Sequence, residues 1–440
     1  MFELTADWEA LNEGSPEEVA CFAQVRIAMN GVLLSEGHDP FVGRVRKASL
    51  LSSYPLAEWL AWNWWRLRWE PSRRGQGWRF AHAMATIGGG YVWPNLTIFP
   101  DGERVTVSAR PSNSADDFAV RYINEYVGAV SAAEFEGGVW RFIEQVMGQL
   151  DAEGLPDTNL HRIWSDLELE RRDGELSRYR RLEAMLGHDA DEGPENLIRR
   201  LLDDEARIGV DGAQELAAEI AKGGPMLAAA QLIDLARQSG TPTDLRNAIR
   251  LNDRVATARG DTPAWLVGQR AAQAVRHQIG NDNEPLSNQR LAEMLAVSPE
   301  VLVPAGNAPM SFSFRDNPAR ANIVLRSRWE TGRRFDLARL IGDVVASGHS
   351  GPLIPATRTA TYRQKLQRSF AAELLSPFDA VEDMMQGDYS DEQQEEVAER
   401  FSVSPLTIRT MLVNHRKLEW DDFANDADLE AGIAYLPAAE

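Results

Sequence analysis

Two consecutive segments between Thr331 and Pro377 constrain the fold of this chain more than any other feature. The first reads T-G-R-R-F-D-L-A-R-L-I-G-D-V-V, and the second, after a short loop, reads R-Q-K-L-Q-R-S-F-A-A-E-L-L-S-P. We interpret both as helices. Arg339 and Asp343 lie at positions i and i+4 of the first segment, a spacing at which opposite charges on a helix form an ion pair. The sequence therefore predicts an intrahelical pair between these two residues.

The two segments resemble the active-site region of the ImmA/IrrE family of metallopeptidases. In that family the first helix usually reads R-R-F-x-L-A-H-E-x-G-H, and the second contains F-A-A-E-L-L-M-P. The agreement comprises Arg333, Arg334, Phe335, Leu337, Ala338, Gly342 and the string from Phe370 to Leu375. The resemblance extends, more weakly, over segments 265–279, 286–295, 322–325 and 389–415. It implies a zincin-type domain over a little over a third of the chain.

The positions that would bind and activate zinc in such a domain have changed. The chain has Arg339, Leu340 and Asp343 where the family has H-E-x-x-H, and Leu366 where the second helix supplies a ligand carboxylate. Two histidines at i and i+4 reach one metal from one helix face, and the glutamate activates the bound water. A guanidinium has no lone pair to offer, and one carboxylate is not a metal site. We therefore expect no metal, no cofactor and no catalytic residue here, and an Arg339–Asp343 pair in the space of the metal.

Composition and charge narrow the classes of function. The chain has 440 residues, enough for two or three domains, and a formal net charge of −20. Such an acidic chain repels the phosphate backbone of nucleic acids unless a basic patch is segregated on its surface. The single cysteine, Cys21, excludes an internal disulfide and fits a reducing compartment. Without an apolar run of membrane-spanning length or a signal-peptide pattern, the sequence predicts a cytoplasmic protein with no membrane contact.

Apolar periodicity and turn residues predict a mainly helical α+β chain with small β elements. The predicted regions are an N-terminal Trp-rich α+β domain (1–156), a helical middle region (157–260), the ImmA/IrrE-like zincin-type domain (261–420) and an acidic C-terminal tail (421–440). Within the first region, Ser15-Pro16-Glu17-Glu18 predicts a capped helix start that continues into V-A-C-F-A-Q-V-R-I-A. β-Branched residues on both sides of Pro100-Asp101-Gly102 predict a β-hairpin over residues 91–108.

Five of the thirteen tryptophans lie between Trp59 and Trp69. Trp62, Trp65 and Trp69 would share one face of a helix, which favours a packed core. Trp64 lies off that stripe, so we expect it at a surface. With the neighbouring Arg66 and Arg68 it forms our candidate for a partner-binding site.

The segment V-A-E-R-F-S-V-S-P-L-T-I-R-T-M-L, near the C-terminus, has the layout of a helix-turn-helix. Its predicted core residues are Ala398, Val403 and Ile408, with Ser404 as the cap of the second helix. The outer positions that would face DNA are Thr407, Arg409 and Thr410. Because the preceding helix is rich in acids that would face phosphates, we favour a helical pair that only packs the domain, and keep DNA binding as an alternative.

The resemblance implies a function without catalysis. ImmA/IrrE proteins typically accompany repressors, mobile elements and genes of stress response or defence. We therefore expect a non-catalytic regulator or adaptor of a bacterial stress, mobile-element or phage-defence system, acting on a protein partner encoded nearby. The alternatives are a helix-turn-helix transcription regulator, or an enzyme whose chemistry lies in the N-terminal domain or in a rebuilt cleft that uses Asp343 and Glu373.

Overall fold

Helices and short antiparallel strands alternate along the chain, which confirms the predicted mixed α+β class. The structure, a computed structural model, describes residues 1–112, 120–251, 262–304, 306–348 and 351–418. The predicted acidic tail, 421–440, lies outside the described residues. The described part of the chain divides into two compact units, the first ending at Pro194 and the second beginning at Glu195. The predicted helical middle region is thus shared between them. None of the helices in the described ranges has the length and apolar character needed to cross a membrane.

The first unit contains several small antiparallel sheets. Its described strands are β1 (Phe2–Trp8), β2 (Phe22–Met29), β3 (Val32–Leu33), β4 (Gly37–Asp39), β5 (Arg44–Arg46), β6 (Ser49–Ser52), β7 (Leu96–Pro100), β8 (Arg104–Ala109), β9 (Arg121–Tyr122) and β10 (Tyr126–Ser131). β2 pairs with β1, β3 and β6 in one sheet, while the other two have the orders β10–β8–β7 and β5–β4–β9. The predicted hairpin is confirmed as β7 and β8, where Ile98 pairs with Val107.

The helices of the first unit are α1 (Pro16–Ala20), α2 (Ser53–Trp62), α3 (Trp64–Trp69), α4 (Gln76–His82), α5 (Ala132–Ala152), α6 (Asn159–Arg172) and α7 (Gly174–Met185). Some of them, such as α5, pack on these sheets, and others, such as α6 and α7, pack on neighbouring helices. The long α5 buries Val139, Phe142 and Val146. It lies so close to β1 that a Cβ on Gly138 would stand 2.3 Å from the carbonyl oxygen of Phe2.

The helix that begins after Ser15 is shorter than predicted. Ser15 caps it as expected, since its hydroxyl accepts a hydrogen bond from the backbone N–H of Glu18. However, α1 ends at Ala20 and the chain enters β2. Alternate side chains of β2 are buried, namely Ala23, Val25, Ile27 and Met29. The prediction of a longer helix was wrong because β1 and β6 are available to pair with this apolar segment.

A buried charge cluster connects α3, α4 and the segment after α7. Glu70 has no exposed surface, and its carboxylate lies within hydrogen-bond distance of Arg66, Arg73 and His82. Burial alone would raise the pKa of Glu70, but the hydrogen bonds and charges of His82 and Arg66 lower it to about 2. Arg66 also donates to Asp189 at 2.7 Å. These contacts hold three parts of the unit together.

The second unit is built on one antiparallel sheet of order β11–β13–β12–β14. The strands are β11 (Thr241–Asp244), β12 (Ser311–Asn317), β13 (Arg320–Val324) and β14 (Leu353–Ala356). The helices are α8 (Glu195–Ile208), α9 (Val210–Ala221), α10 (Ala229–Ser239), α11 (Ala264–Gln278), α12 (Asn288–Met294), α13 (Glu330–Gly342), α14 (Tyr362–Leu375), α15 (Phe378–Met385), α16 (Asp391–Phe401) and α17 (Pro405–Asn414). Ile323, Ile354 and Ala356 of the sheet share the main core of the unit with residues of α13 and α14.

Candidate functional site

The end of α13 lies against α14, at the position that the resemblance assigns to a zinc site. A Cβ on Gly342 would stand 2.6 Å from the ring of Phe370 in α14, so the absence of a side chain permits the close approach of the two helices. The chain then continues into a π-helical turn, Asp343–Ser347. A π turn inside or after an α-helix changes the direction in which the following side chains point, and such turns are frequent at functional sites.

Asp343 is the centre of a buried polar network. Asp343 is 1% exposed. Its carboxylate accepts hydrogen bonds from Arg363 Nε at 2.6 Å and Arg363 Nη2 at 3.0 Å. Gln367 Nε2 and Ser347 Oγ each donate to it at 2.7 Å. Burial alone would lower the pKa of Arg363, but the charge and hydrogen bonds of Asp343 raise it. The two-pronged geometry of this pair is the strong form of an arginine–carboxylate contact.

Arg339 has different partners from those predicted. Its Nη2 donates to the carbonyl oxygen of Thr357 and to Gln364 Oε1, and its Nη1 lies 3.5 Å from Asp336. Burial lowers the pKa of Arg339 to about 10. The predicted Arg339–Asp343 pair is thus wrong, because Arg363 and Gln367 of α14 bind Asp343, while Thr357 and Gln364 accept hydrogen bonds from Arg339. A fork-shaped donor on α14 offers Asp343 a bidentate contact.

The two apolar residues that the resemblance aligns with zinc-site positions are core residues. Leu340 is fully buried in the main core of the unit, and Leu366 packs with Ala264 and Val267 of α11. Leu340 and Leu366 therefore contribute apolar packing, whereas Arg339 and Asp343 belong to the polar network.

A second buried carboxylate stabilises the loop between β14 and α14, and sequence reasoning missed it. Glu215 of α9 accepts hydrogen bonds from the hydroxyls of Thr361 at 2.7 Å and Thr359 at 3.2 Å. Thr357 Oγ1 lies 3.4 Å from the same carboxylate. The only signal in the sequence was the alternation of threonines in T-R-T-A-T, which places three hydroxyls on one side of an extended segment.

The chemistry available at this site is poor for hydrolysis. Within the described ranges, no group of three or more His, Cys, Asp or Glu side chains is placed to hold a metal ion. Asp343 is already engaged by four donor atoms. Burial raises the pKa of Glu373, to which Gln273 donates a hydrogen bond at 2.9 Å. A cation bound beside Asp343 would also face the guanidinium of Arg363, which repels it.

The structure overturns the predicted surface position of Trp64. This residue is 2% exposed, whereas Trp62 is 58% exposed. The reason is the break at Asn63, which separates α2 from α3 and rotates the tryptophans that follow. Trp64 packs edge-on against Trp140, with ring centroids 5.4 Å apart.

The two arginines beside Trp64 are structural as well. Arg66 is buried in the Glu70 cluster. Arg68 donates to Glu136 at 2.6 Å and lies over the ring of Trp69. Of the predicted partner-binding set, Trp64 and Arg66 are therefore buried in the first unit, and Arg68 is half-buried with its guanidinium engaged by Glu136.

The C-terminal segment forms two helices, α16 and α17, separated by a short turn. The predicted core residues are buried: Ala398, Val403 and Ile408. Ser404 Oγ accepts the backbone N–H of Thr407 at 3.2 Å, as a cap should. Of the candidate DNA contacts, Thr407 shares a hydrogen bond with Ser404, Arg409 lies 3.9 Å from Asp391, and Thr410 is half-buried. The candidate DNA surface thus carries an acid beside its arginine.

Comparisons with known proteins give no evidence on function beyond these contacts. No family model, no curated protein and no solved structure matches this chain.

Proposed function

We propose that the protein is a non-catalytic, ImmA/IrrE-like regulator or adaptor that acts by binding another protein. The observation that carries this proposal is the Asp343–Arg363 pair. At the end of α13, where the resemblance requires a metal and an activated water, a buried carboxylate is bound by two nitrogens of one arginine at 2.6 and 3.0 Å.

Peptide hydrolysis by the zincin route requires a metal-bound water and a general base next to it. Arg339 and Leu340 supply neither a ligand nor a base, and Asp343 already forms a charge-assisted contact in the interior. Opening that contact would leave a buried guanidinium without its counter-charge, which costs about 3–5 kcal/mol. The network supports a domain that keeps its shape for binding and has lost the reaction.

Protein binding is the activity that remains for such a domain. The net charge of −20 disfavours general attraction to nucleic acid. By the resemblance, we place the protein in a bacterial stress, mobile-element or phage-defence system, in the cytoplasm, with a partner encoded nearby.

A test combines affinity purification with a peptidase assay. The tagged chain is expressed from its natural locus, and proteins that co-purify with it stoichiometrically are identified. The purified complex is then incubated with added zinc, with Asp343→Ala as the matched variant. We expect an intact partner in both samples. Zinc-dependent cleavage of the partner that disappears in Asp343→Ala would contradict the proposal.

DNA binding through α17 is the second candidate, because α16, a short turn and the capped α17 follow one another in the order expected of a helix-turn-helix. A shift assay at low salt, where attraction to phosphates is strongest, tests it. Sequence-selective binding that is lost in Arg409→Ala and kept in Arg199→Ala, on the exposed face of α8, would make α17 the functional centre instead.

A further inference from the structure

The turn between β4 and β5 presents two apolar side chains to solvent. Phe41 is 83% exposed and Val42 is 52% exposed. Asp39, the last residue of β4, accepts hydrogen bonds from the backbone N–H groups of both residues, at 3.0 and 3.1 Å. Gly43 completes the turn with a φ of 66°, in the left-handed region that glycine tolerates. Hydrogen bonds thus hold the tip in one conformation, so that little freedom remains to be lost when a partner covers it.

Basic residues flank this apolar tip. Arg44 and Lys47 are exposed, and Val45 between them is 52% exposed. Arg46 is half-buried and contacts Asp39 Oδ2 at 2.8 Å. Segment 40–47, P-F-V-G-R-V-R-K, contains three positive charges and no acid, in a chain whose formal net charge is −20. The net charge of this segment is therefore positive, whereas that of the whole protein is negative.

A groove beside the hairpin has the same character. It encloses a cavity of about 200 Å³ lined by Gln24, Arg26, Arg46, Lys47, Ala48 and Leu50. Leu50 and Ala48 supply apolar surface, and the three basic side chains supply positive charge. Arg26 is paired with Asp7 at 3.0 Å, but both side chains are about half exposed or more. Such a surface pair contributes little and exchanges readily for another anion.

Along the described part of the chain, β5 is the outer strand of the order β5–β4–β9. An outer strand offers backbone N–H and C=O groups to an additional strand. Arginines on such a strand oppose pairing with another basic strand and so protect against aggregation. The same charges favour an acidic strand.

We propose that this hairpin and groove bind an extended acidic segment of a partner protein. The inference rests on the protein binding proposed above and assigns it a surface and a ligand chemistry. The acidic side chains of the segment face Arg44, Arg46 and Lys47, and an apolar side chain contacts Phe41 or Leu50. The acidic remainder of the chain repels any anion, and it repels a long polyanion such as nucleic acid more than a short acidic segment. Phosphate groups also offer no apolar contact to Phe41 or Val42.

The test measures binding of a defined probe to the full chain. The probe is a short fluorescein-labelled peptide in which Asp and Glu alternate with Leu and Thr, and its affinity is read by fluorescence anisotropy. The variants are Phe41→Ser, Val42→Ser and the double change Arg44→Glu with Lys47→Glu. The matched controls are Trp62→Ser, an exposed aromatic outside the hairpin, and Arg199→Glu, an exposed arginine of α8. Thermal melts verify that each variant is folded.

We expect the probe to bind the unmodified chain and both controls with equal affinity. Phe41→Ser and the double charge change should each weaken binding about tenfold, as loss of an aromatic or arginine anchor does, and added salt should weaken it further. The inference is overturned if the unmodified chain does not bind the probe or if a lysine version binds as well. It is also overturned if the hairpin variants bind unchanged, or if single-stranded DNA binds more tightly than the peptide.

Failure of this inference is distinguishable from failure of the proposed function. If a protein co-purifies equally with Phe41→Ser and with the unmodified chain, protein binding stands and the surface is wrong. If the purified partner is cleaved in a zinc-dependent way, the proposed function is wrong whatever the hairpin variants do.

Discussion

The Asp343–Arg363 pair makes a quantitative prediction about the stability of the second unit. Asp343→Leu leaves the guanidinium of Arg363, which is 4% exposed, without its counter-charge. It also removes the acceptor of Gln367 and Ser347. At an effective dielectric constant of about 20, two unit charges about 4 Å apart attract by about 4 kcal/mol. We therefore expect the free energy of unfolding to fall by about 3–5 kcal/mol in either Asp343→Leu or Arg363→Met, as for other broken buried pairs.

The double variant should recover most of that loss. Arg363 Nη1 and Gln367 Oε1 are buried atoms without a hydrogen-bond partner among the described residues, so the pair is only partly compensated for its desolvation. Replacing both ions with apolar side chains of similar size is then nearly neutral, as observed for other buried pairs. We expect Asp343→Leu with Arg363→Met to lie within about 1–2 kcal/mol of the unmodified chain.

The assay is urea unfolding followed by far-UV circular dichroism. Tryptophan fluorescence serves as an internal control, because ten of the thirteen tryptophans precede residue 195 and report mainly on the first unit. The control is a double-mutant cycle on Glu195 and Arg199, an exposed i,i+4 pair in α8. It should give a coupling free energy of about 0.3–0.5 kcal/mol. A single change at Asp343 as mild as this control, or a double variant as unstable as the singles, would refute the reasoning.

Three further predictions concern particular residues. Burial alone would raise the pKa of Glu70 from 4.5, but its cationic partners hold it at about 2. The ionised carboxylate therefore contributes about 3 kcal/mol to the free energy of unfolding, which is present above pH 4.5 and lost as the pH falls to about 2. Glu70→Gln should remove this part of the pH dependence in unfolding experiments. Trp64→Ala should lower the free energy of unfolding by about 3–5 kcal/mol, and Trp62→Ala by well under about 1 kcal/mol; equal effects in a thermal melt would contradict the burial described here. Gly342→Ala should cost about 1–3 kcal/mol through its clash with Phe370, and an unchanged melting temperature would count against a close α13–α14 contact.

Local features of the fold were predictable from the sequence. The cap at Ser404, the turn of the β7–β8 hairpin and the buried residues of α16 and α17 depend on side chains within a few positions of one another. Such hydrogen bonds and steric limits act inside a single element. The sequence also determined what Arg339 and Leu340 cannot do, since no fold gives a guanidinium a lone pair or a leucine a proton to exchange.

Other features depended on which segments meet. Whether Phe22–Met29 is a helix or a strand was decided by β1 and β6, which lie on either side of it in the sheet. The exposure of Trp62 and the burial of Trp64 follow from a break at Asn63, which a regular helical period does not contain. In both cases the local pattern allowed two structures, and packing against distant segments selected one of them.

The partners of Arg339 and Asp343 show most clearly the difference between what local sequence allows and what tertiary contacts select. The i,i+4 spacing of Arg339 and Asp343 made a pair within α13 geometrically possible, and on an isolated helix it would contribute only about 0.3–0.5 kcal/mol. In the folded unit, Arg363 from α14 presents two N–H groups to Asp343, while the β14–α14 loop presents a carbonyl oxygen to Arg339. The sequence by itself determined that Arg339 and Asp343 carry opposite charges one helical turn apart, and only the tertiary structure decided their partners. The physical reason is that a buried charge must be matched by whichever groups surround it in three dimensions, and contacts of that strength override a weak local pair.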